Sequence, residues 1–297
     1  MTLLFPALLT FIVFVASWGL TGWFRGRAPL DVPNSRSSHS IATPRGGGVA
    51  IVLSTLVALL VLGWTDWLAW PSVWGLCGGG AVVALIGFVD DHGHVRRRWR
   101  LIGHFAASVW VLAKLGGAPP LTAMGLTLDS GWLGFAIVAL YLVWMLNLTN
   151  FMDGIDGIAG VEVLTVCLSG VLLNEVAAPG ARLWITPLVL ASATLGFLMW
   201  NWPPAKIFMG DVGSGFLGLM LAALSLQAAW VVDRLFWSWV ILLGVFVVDA
   251  TLTLIRRVAR GERFYEAHRS HAFQHAARPG VHAPVTLAVG AINLCWL

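Results

Sequence analysis

Residues 132–157 read WLGFAIVALYLVWMLNLTNFMDGIDG. From Trp132 to Thr149 the stretch carries no charge, close to the roughly 20 apolar residues that a membrane-spanning helix needs. Asp153 and Asp156 follow at once, in a chain with only 14 acids among 297 residues. An apolar span that delivers carboxylates at its end decides the class: helices in lipid, with polar chemistry at the water boundary. Composition agrees. Hydrophobic residues make up 58% and charged residues 11%, against roughly 25% charged in a soluble domain, and the mean hydropathy is +0.83. So little charge cannot cover a water-facing surface, which excludes a soluble globule and a disordered chain. Three cysteines, Cys77, Cys167 and Cys295, lie in separate apolar stretches without metal-ligand spacing and read as small core residues.

Working outward, further apolar runs lie near 3–24, 48–63, 72–89, 101–117, 159–176, 183–200, 212–230 and 235–255, and a last one of 13 residues covers 285–297. The expected fold is all-α, a polytopic transmembrane bundle of about ten helices forming a single integral-membrane domain over 1–297, with its last span shortened. The first run has no basic start and no small-residue cleavage site, so it reads as a retained helix and not a signal peptide. With the amino terminus outside and the spans alternating, 15 of the 18 basic residues fall on the inner side, as the positive-inside rule requires. Trp64, Trp67, Trp70 and Trp74 read as one interfacial belt, and Trp230, Trp237 and Trp239 as another. The basic pI, about 9.4, is then explained by the anionic inner leaflet and an anionic substrate, and no nucleic acid is needed as a partner.

The inner loops, 25–47, 90–100, 150–158, 201–211 and 256–284, gather Asp90, Asp91, Asp153, Asp156 and Asp211. Carboxylates brought together repel unless a cation or hydrogen bonds compensate. Mg²⁺ takes one or two carboxylates plus substrate phosphates, and the neighbouring arginines suit a phosphate-bearing substrate. The pattern therefore implies Mg²⁺-dependent chemistry (with Mn²⁺ as its substitute) on a diphosphate beside the bilayer. Each motif also has a plainer reading. Asp90-Asp91 alone is a solvated helix end. Asp153 and Asp156, placed on one helical face by their spacing, could include a cap for the next span, and Asp211 could be an N-cap. Three such motifs at one face make the plain readings jointly weak.

Arg45-Gly46-Gly47-Gly48 resembles an anion-cradling loop or a flexible entry to the second span. Gly213, Gly215 and Gly218 have G-x-G-x-x-G spacing without a preceding strand, so they read as close-packing positions or as backbone approach to a ligand, not as a Rossmann loop. His268, His271 and His275 recur at helical spacing beside Arg269, a face that suits phosphate or nucleotide contacts better than zinc. Asp249 lies inside the ninth run, where an acid is costly and is either functional or pairs with a polar group to fix the bundle.

With these motifs in view the chain resembles the polyprenyl-phosphate N-acetylhexosamine-1-phosphate transferases of glycosyltransferase family 4. The resemblance runs through DVPNSRSSHSIATPRGGG at 31–48, GFVDD at 87–91, NFMDGIDGIAG at 150–160, PPAKIFMGD at 203–211 and HRSHAFQH at 268–275. It implies about ten or eleven helices, a location in the bacterial inner membrane with the active site at the cytoplasmic face, and transfer of a sugar-1-phosphate from a UDP-N-acetylhexosamine to undecaprenyl phosphate with release of UMP. It implies a Mg²⁺ ligand at Asp211 with Asp91 beside it, and a catalytic pair at Asp90 and Asp91, one of which deprotonates or orients the lipid phosphate. On the nucleotide side it implies Asn150, Asp153 and Asp156, with Phe208 stacking on uracil, and donor diphosphate contacts from His271 with Arg269 and His275; Arg45 and His268 are expected to bind substrate as well. A homodimer is compatible with this reading. The loop HRSHAFQH departs from the triple histidine of the muramoyl-pentapeptide branch and points to the branch that initiates O-antigen or other surface glycans. A transporter for an anionic solute, the competing reading, would place its polar groups near the bilayer midplane; a non-catalytic scaffold would not gather five inner carboxylates.

Overall fold

In lipid, backbone N–H and C=O groups find no water, so an apolar run must close its hydrogen bonds within a helix. The computed structural model describes residues 3–33, 41–93, 95–128, 131–262, 269–277 and 281–297, and every apolar run of the sequence carries a helix there. Among the described residues these are α1 (Leu4–Arg25), α2 (Gly48–Trp64), α3 (Trp70–His92), α4 (Arg97–Leu115), α5 (Trp132–Met152), α6 (Ile158–Ala177), α7 (Ile185–Asn201), α8 (Asp211–Val231), α9 (Arg234–Leu242), α10 (Gly244–Ala259), α11 (Ala272–Ala276) and α12 (His282–Cys295). Two small antiparallel hairpins complete the fold: β1 (Leu30–Asp31) with β2 (Thr43–Pro44), and β3 (Leu121–Ala123) with β4 (Leu126–Leu128).

By length and composition five helices, α1, α3, α5, α6 and α8, can cross a membrane, or six if α9 and α10 count as one span. That marks a multi-pass membrane protein, but it falls short of the ten spans expected. The reasons are local. The apolar helices α2 and α7 have 17 residues each and α12 has 14. α4 opens on Arg97, Arg98 and Arg100. The ninth run is broken, with α9 and α10 meeting at a 73° bend beside Gly244, whose missing side chain leaves room for the Trp296 ring.

α8 is the central helix, buried along nearly its whole length, and it packs on α2, α3, α5 and α9. Its glycines are close-packing positions. A Cβ on Gly218 would stand 2.6 Å from the Met145 carbonyl oxygen of α5, and one on Gly213 2.7 Å from Gly48 Cα of α2. From the other side, a Cβ on Gly87 of α3 would stand 2.5 Å from the Asp211 carbonyl carbon.

The helices run back and forth between two ends. One end carries the loops with the acidic motifs. At the other, Trp237 Nε1–H donates to the Thr122 carbonyl (2.7 Å) and Arg182 Nη1–H to that of Asp66 (3.2 Å). The two tryptophan groups are not on opposite interfaces: Trp67 and Trp230 line one cavity at this second end. Trp239 belongs to no belt, being fully buried against Gly170. Of the cysteines, only Cys167 is buried, whereas Cys295 is exposed.

Candidate active site

The site begins where α3 ends. Asp90 and Asp91 are consecutive helical residues, so their side chains diverge by about 100°. Asp90 turns to the start of α4, where it pairs with Arg100 and accepts the Val95 N–H (2.9 Å). Asp91 turns to the start of α8 and accepts the N–H groups of Asp211 (3.0 Å) and Val212 (3.1 Å). These are unsatisfied donors at the positive end of the helix dipole, where a carboxylate is favoured. The Asp91 side chain is 2% exposed and also takes Arg45 Nε at 3.0 Å. Gly210 permits this approach: its φ is +79°, and a Cβ there would stand 2.6 Å from Asp91 Oδ2. Asp211 itself is not the cap. It is the first helical residue, and its carboxylate faces outward between Arg45 Nη2 (2.6 Å) and Arg100 Nη2 (3.3 Å).

Arg45 thus joins Asp31 (3.8 Å), Asp91 and Asp211. Burial opposes its charge, yet Asp211, Asp91 and Asp31 hold the guanidinium above its ordinary pKa. The Gly46–Gly48 amides do not form the anion cradle suggested by their sequence. Gly46 and Gly47 N–H donate to the Phe208 carbonyl, and Gly48 N–H to that of Met209. A backbone bridge between distant loops uses them up.

DGIDG is a turn, not a helical face, because α5 ends at Met152 and Gly157, at φ +76°, precedes α6. Asp156 does not cap α6. Its Oδ2 accepts the Ala205 N–H (3.0 Å) and lies 3.3 Å from His282 Nδ1, tying three loops together. Asn201 adds a second tie, accepting from Gly157 N–H and donating to the Ile207 carbonyl, both at 2.9 Å. Asn150 donates to Ser214 Oγ (2.9 Å).

These loops enclose a cavity of about 220 Å³. Asp31, Arg45, Asn150, Asp153, Asp156, Asn201, Phe208, Asp211, Ser214, Gln274 and His282 line it. Loss of water pushes the Asp153 carboxyl up to about 7; Arg45 works against this, while Asp211, Asp91 and Asp156 add to it. Seven of the expected residues therefore share or adjoin this space: Arg45, Asp91, Asn150, Asp153, Asp156, Phe208 and Asp211. Asp90 stands one step behind, on Arg100. Among the described residues no three His, Cys, Asp or Glu side chains are grouped to hold a metal ion by themselves.

The histidine face is different from its expectation. His268 lies outside the described residues. α11 is one short turn, His271 is its N-cap, and His275 is exposed. His271 is buried, with Nδ1 3.4 Å from Asp249 Oδ1. Asp249 accepts the N–H groups of Ala272 (2.9 Å) and Phe273 (3.1 Å). The acid inside the ninth run thus holds α11 in place. This presents Gln274, not a histidine, to the cavity. Arg269 is partly buried next to this turn.

The sequence reading missed Arg100, Asn201, Gln274 and His282 as site residues. Asn201 had a signal, a polar residue ending an apolar run just before Pro203-Pro204. Arg100 and His282 lay among the inner charged loops, and Gln274 lay within HRSHAFQH, where the histidines drew the reading instead.

The sequence profile of glycosyl transferase family 4 matches residues 73–229. A Bacillus subtilis protein named Probable undecaprenyl-phosphate N-acetylglucosaminyl 1-phosphate transferase is 31% identical over 262 residues, spanning 82% of this chain and 68% of the relative. The phospho-N-acetylmuramoyl-pentapeptide-transferase of Kocuria rhizophila is 32% identical over 300 residues, spanning 82% and 78%. The decaprenyl-phosphate N-acetylglucosaminephosphotransferase of Mycobacterium leprae is 29% identical over 312 residues, spanning 94% and 78%. The chain belongs to glycosyl transferase family 4, among the polyprenyl-phosphate hexosamine-1-phosphate transferases. By family it is a phospho-sugar transferase. Relatives named for either branch match at nearly equal identity, so identity does not separate the branches.

Proposed function

We propose that the protein transfers a sugar-1-phosphate from a UDP-N-acetylhexosamine to undecaprenyl phosphate, at the cytoplasmic face of a bacterial inner membrane. The observation that carries this reading is Asp211, at the mouth of the central helix, set between Arg45 and Arg100 in a cavity it shares with Asn150, Asp153 and Phe208. In the reaction a lipid phosphate oxygen bonds to the β-phosphorus of the donor, the bond from that phosphorus to the bridging oxygen breaks, and UMP leaves with the electron pair. A phosphate monoester has a second pKa near 6, so the lipid phosphate arrives as a nucleophile and needs orientation more than deprotonation. Arg45 and Arg100 supply that, each aimed by acids on α3, and they neutralise the charge spread over the reacting phosphates. Asn150, Phe208 and the DGIDG turn take the nucleotide side.

The donor set suits a divalent ion. Asp211 and Asp153 face one cavity, and Mg²⁺ commonly takes one or two carboxylates with phosphate oxygens completing its shell. Asp211 and Asp153 would hold it, and when bound it would supply charge neutralisation on the diphosphate. Asp91, expected beside it as a ligand, has its oxygens on the α8 amides and Arg45, and we assign it to positioning Asp211. The loop HRSHAFQH, without a triple histidine, favours the branch that initiates O-antigen or other surface glycans. The test is transfer of labelled sugar-phosphate from a panel of UDP-sugars to undecaprenyl phosphate, with and without Mg²⁺. Absence of any lipid-linked product from folded protein overturns the reading. A pentapeptide-bearing donor as the sole substrate overturns the branch. The transporter reading has little support, because the acidic motifs crowd one end, and the two embedded acids are both engaged, Asp249 with α11 and Glu162 with Asn293.

A further inference from the structure

Asn150 and Asp211 also line a second, much smaller cavity, of about 10 Å³, among α3, α4, α5 and α8. Its other polar walls are Arg100 and His104, and Gly87 and Leu146 help to close it. His104 sits one turn after Arg100 on the same face of α4. It is 4% exposed, and among the described residues its buried Nδ1 has no hydrogen-bond partner. A buried polar atom left alone is costly and rare. The space is about that of a single water, and a buried water typically makes about three hydrogen bonds. Here the partners are at hand. Arg100 and Asp211 line the same small cavity as the His104 ring, and Asn150 beside them donates its amide N–H₂ to Ser214 Oγ.

We propose that this cavity holds one ordered water that bridges His104 Nδ1 to the Asp211 carboxylate, making His104 a positioning residue for Asp211. The water donates to Nδ1 and to Asp211 and accepts from an Arg100 N–H, which fixes the imidazole with its proton on Nε2. Arg45 holds Oδ1 of the Asp211 carboxylate and Arg100 holds Oδ2, and the water adds a third contact from the His104 side, so the group is fixed before substrate arrives.

The inference rests on Asp211 acting in the reaction, and the test separates the two. His104→Leu, His104→Gln and Asp211→Asn are compared in the full-length protein with UDP-sugar, undecaprenyl phosphate and Mg²⁺. His104→Leu is expected to lower kcat about tenfold, with KM for both substrates within about twofold. Its melting temperature should change little, since the apolar side chain removes Nδ1 and its water together while Arg100 and Asp211 keep their other partners. His104→Gln restores a polar partner and should recover most of kcat. A fall in melting temperature with unchanged kcat, or equal loss in both His104 variants, overturns the water bridge. Full activity of His104→Leu beside a dead Asp211→Asn overturns the bridge alone; an active Asp211→Asn overturns the reading beneath it. If His104→Leu does not fold, density for a water within hydrogen-bond distance of Nδ1 in an experimental structure decides, and an empty cavity there overturns the proposal.

Discussion

The two ends of the helix bundle are held together by different chemistry. At the far end the connections are made by tryptophan rings, tight turns and contacts that pair no opposite charges: Trp67 stacks on Phe5, Arg182 lies over Trp67, and Trp110 Nε1–H donates to the Trp74 carbonyl. Among the described residues no ion pair joins loops there. At the site end Arg45 and Arg100 alone engage four aspartates from three segments. Removing such charges from water is expensive, and buried ion pairs seldom stabilise more than well-packed apolar residues do. Since the far end shows that this bundle can be closed without them, the charged array is better explained by what it does to a ligand than by what it does for the fold. Variants of the two ends should therefore fail in different ways.

The largest effect should come from Asp211→Asn. This removes the outward-facing charge but leaves Arg45 on Asp91 and Arg100 on Asp90. We expect transfer to fall by about a hundred- to a thousandfold, with the melting temperature in detergent little changed. A variant that melted early but kept its activity would break the comparison, because the array would then be structural. Asp91→Asn is the complementary case. An amide there turns an N–H₂ toward donors of α8 and abandons Arg45 Nε. We expect a loss of about 3 kcal/mol of stability, at the low end for a broken buried pair because Arg45 keeps other partners, and reduced transfer. Thermal or denaturant unfolding alongside the transfer assay checks both.

A smaller effect lies in the pH dependence of Asp153. In the unfolded chain this carboxyl titrates at its ordinary value of 3.8, and in the fold near 7. Between these values only the folded state keeps the proton, so stability must fall as pH rises through the window. Without divalent ions, the melting temperature of the wild type should drop between pH 5 and 8 relative to that of Asp153→Asn. Mg²⁺ added at pH 8 should raise it in the wild type and do less in the variant. Parallel pH profiles would remove Asp153 from the charged array.

The same contrast explains what the sequence made legible. Apolar runs announce helices because lipid leaves them no alternative, and all ten were found where expected. Whether each is long enough to span depends on details that periodicity hides, such as the break after Leu242 or the arginines opening α4. At the site, acid-bearing motifs stood out because carboxylates are scarce in this chain. Their partners did not. The Gly46–Gly48 amides look available until Phe208 and Met209 arrive from 160 residues away. Asp249 read equally as a functional acid or as a partner that fixes the bundle until α11 was seen to hang from it. Gln274 enters the cavity only because that turn is fixed. Composition shows which residues are expensive to keep, whereas pairings across distant loops exist only once the bundle is closed.

The smallest effect should belong to Arg182→Gly, at the far end. Arg182 holds a left-handed backbone, φ +56°, which glycine adopts without a Cβ penalty of about 1–2 kcal/mol. Against that relief stand the lost hydrogen bond to the Asp66 carbonyl and the lost cation–π contact on Trp67, together of similar size at an exposed position. The added freedom of glycine in the unfolded chain costs a little more. These terms nearly cancel, so the melting temperature should shift by only a few degrees in either direction, and transfer should stay at the wild-type rate. A large fall in transfer with stability intact would couple the cavity beside Arg182 to the reaction at the opposite end, and the division of labour between the ends would no longer hold.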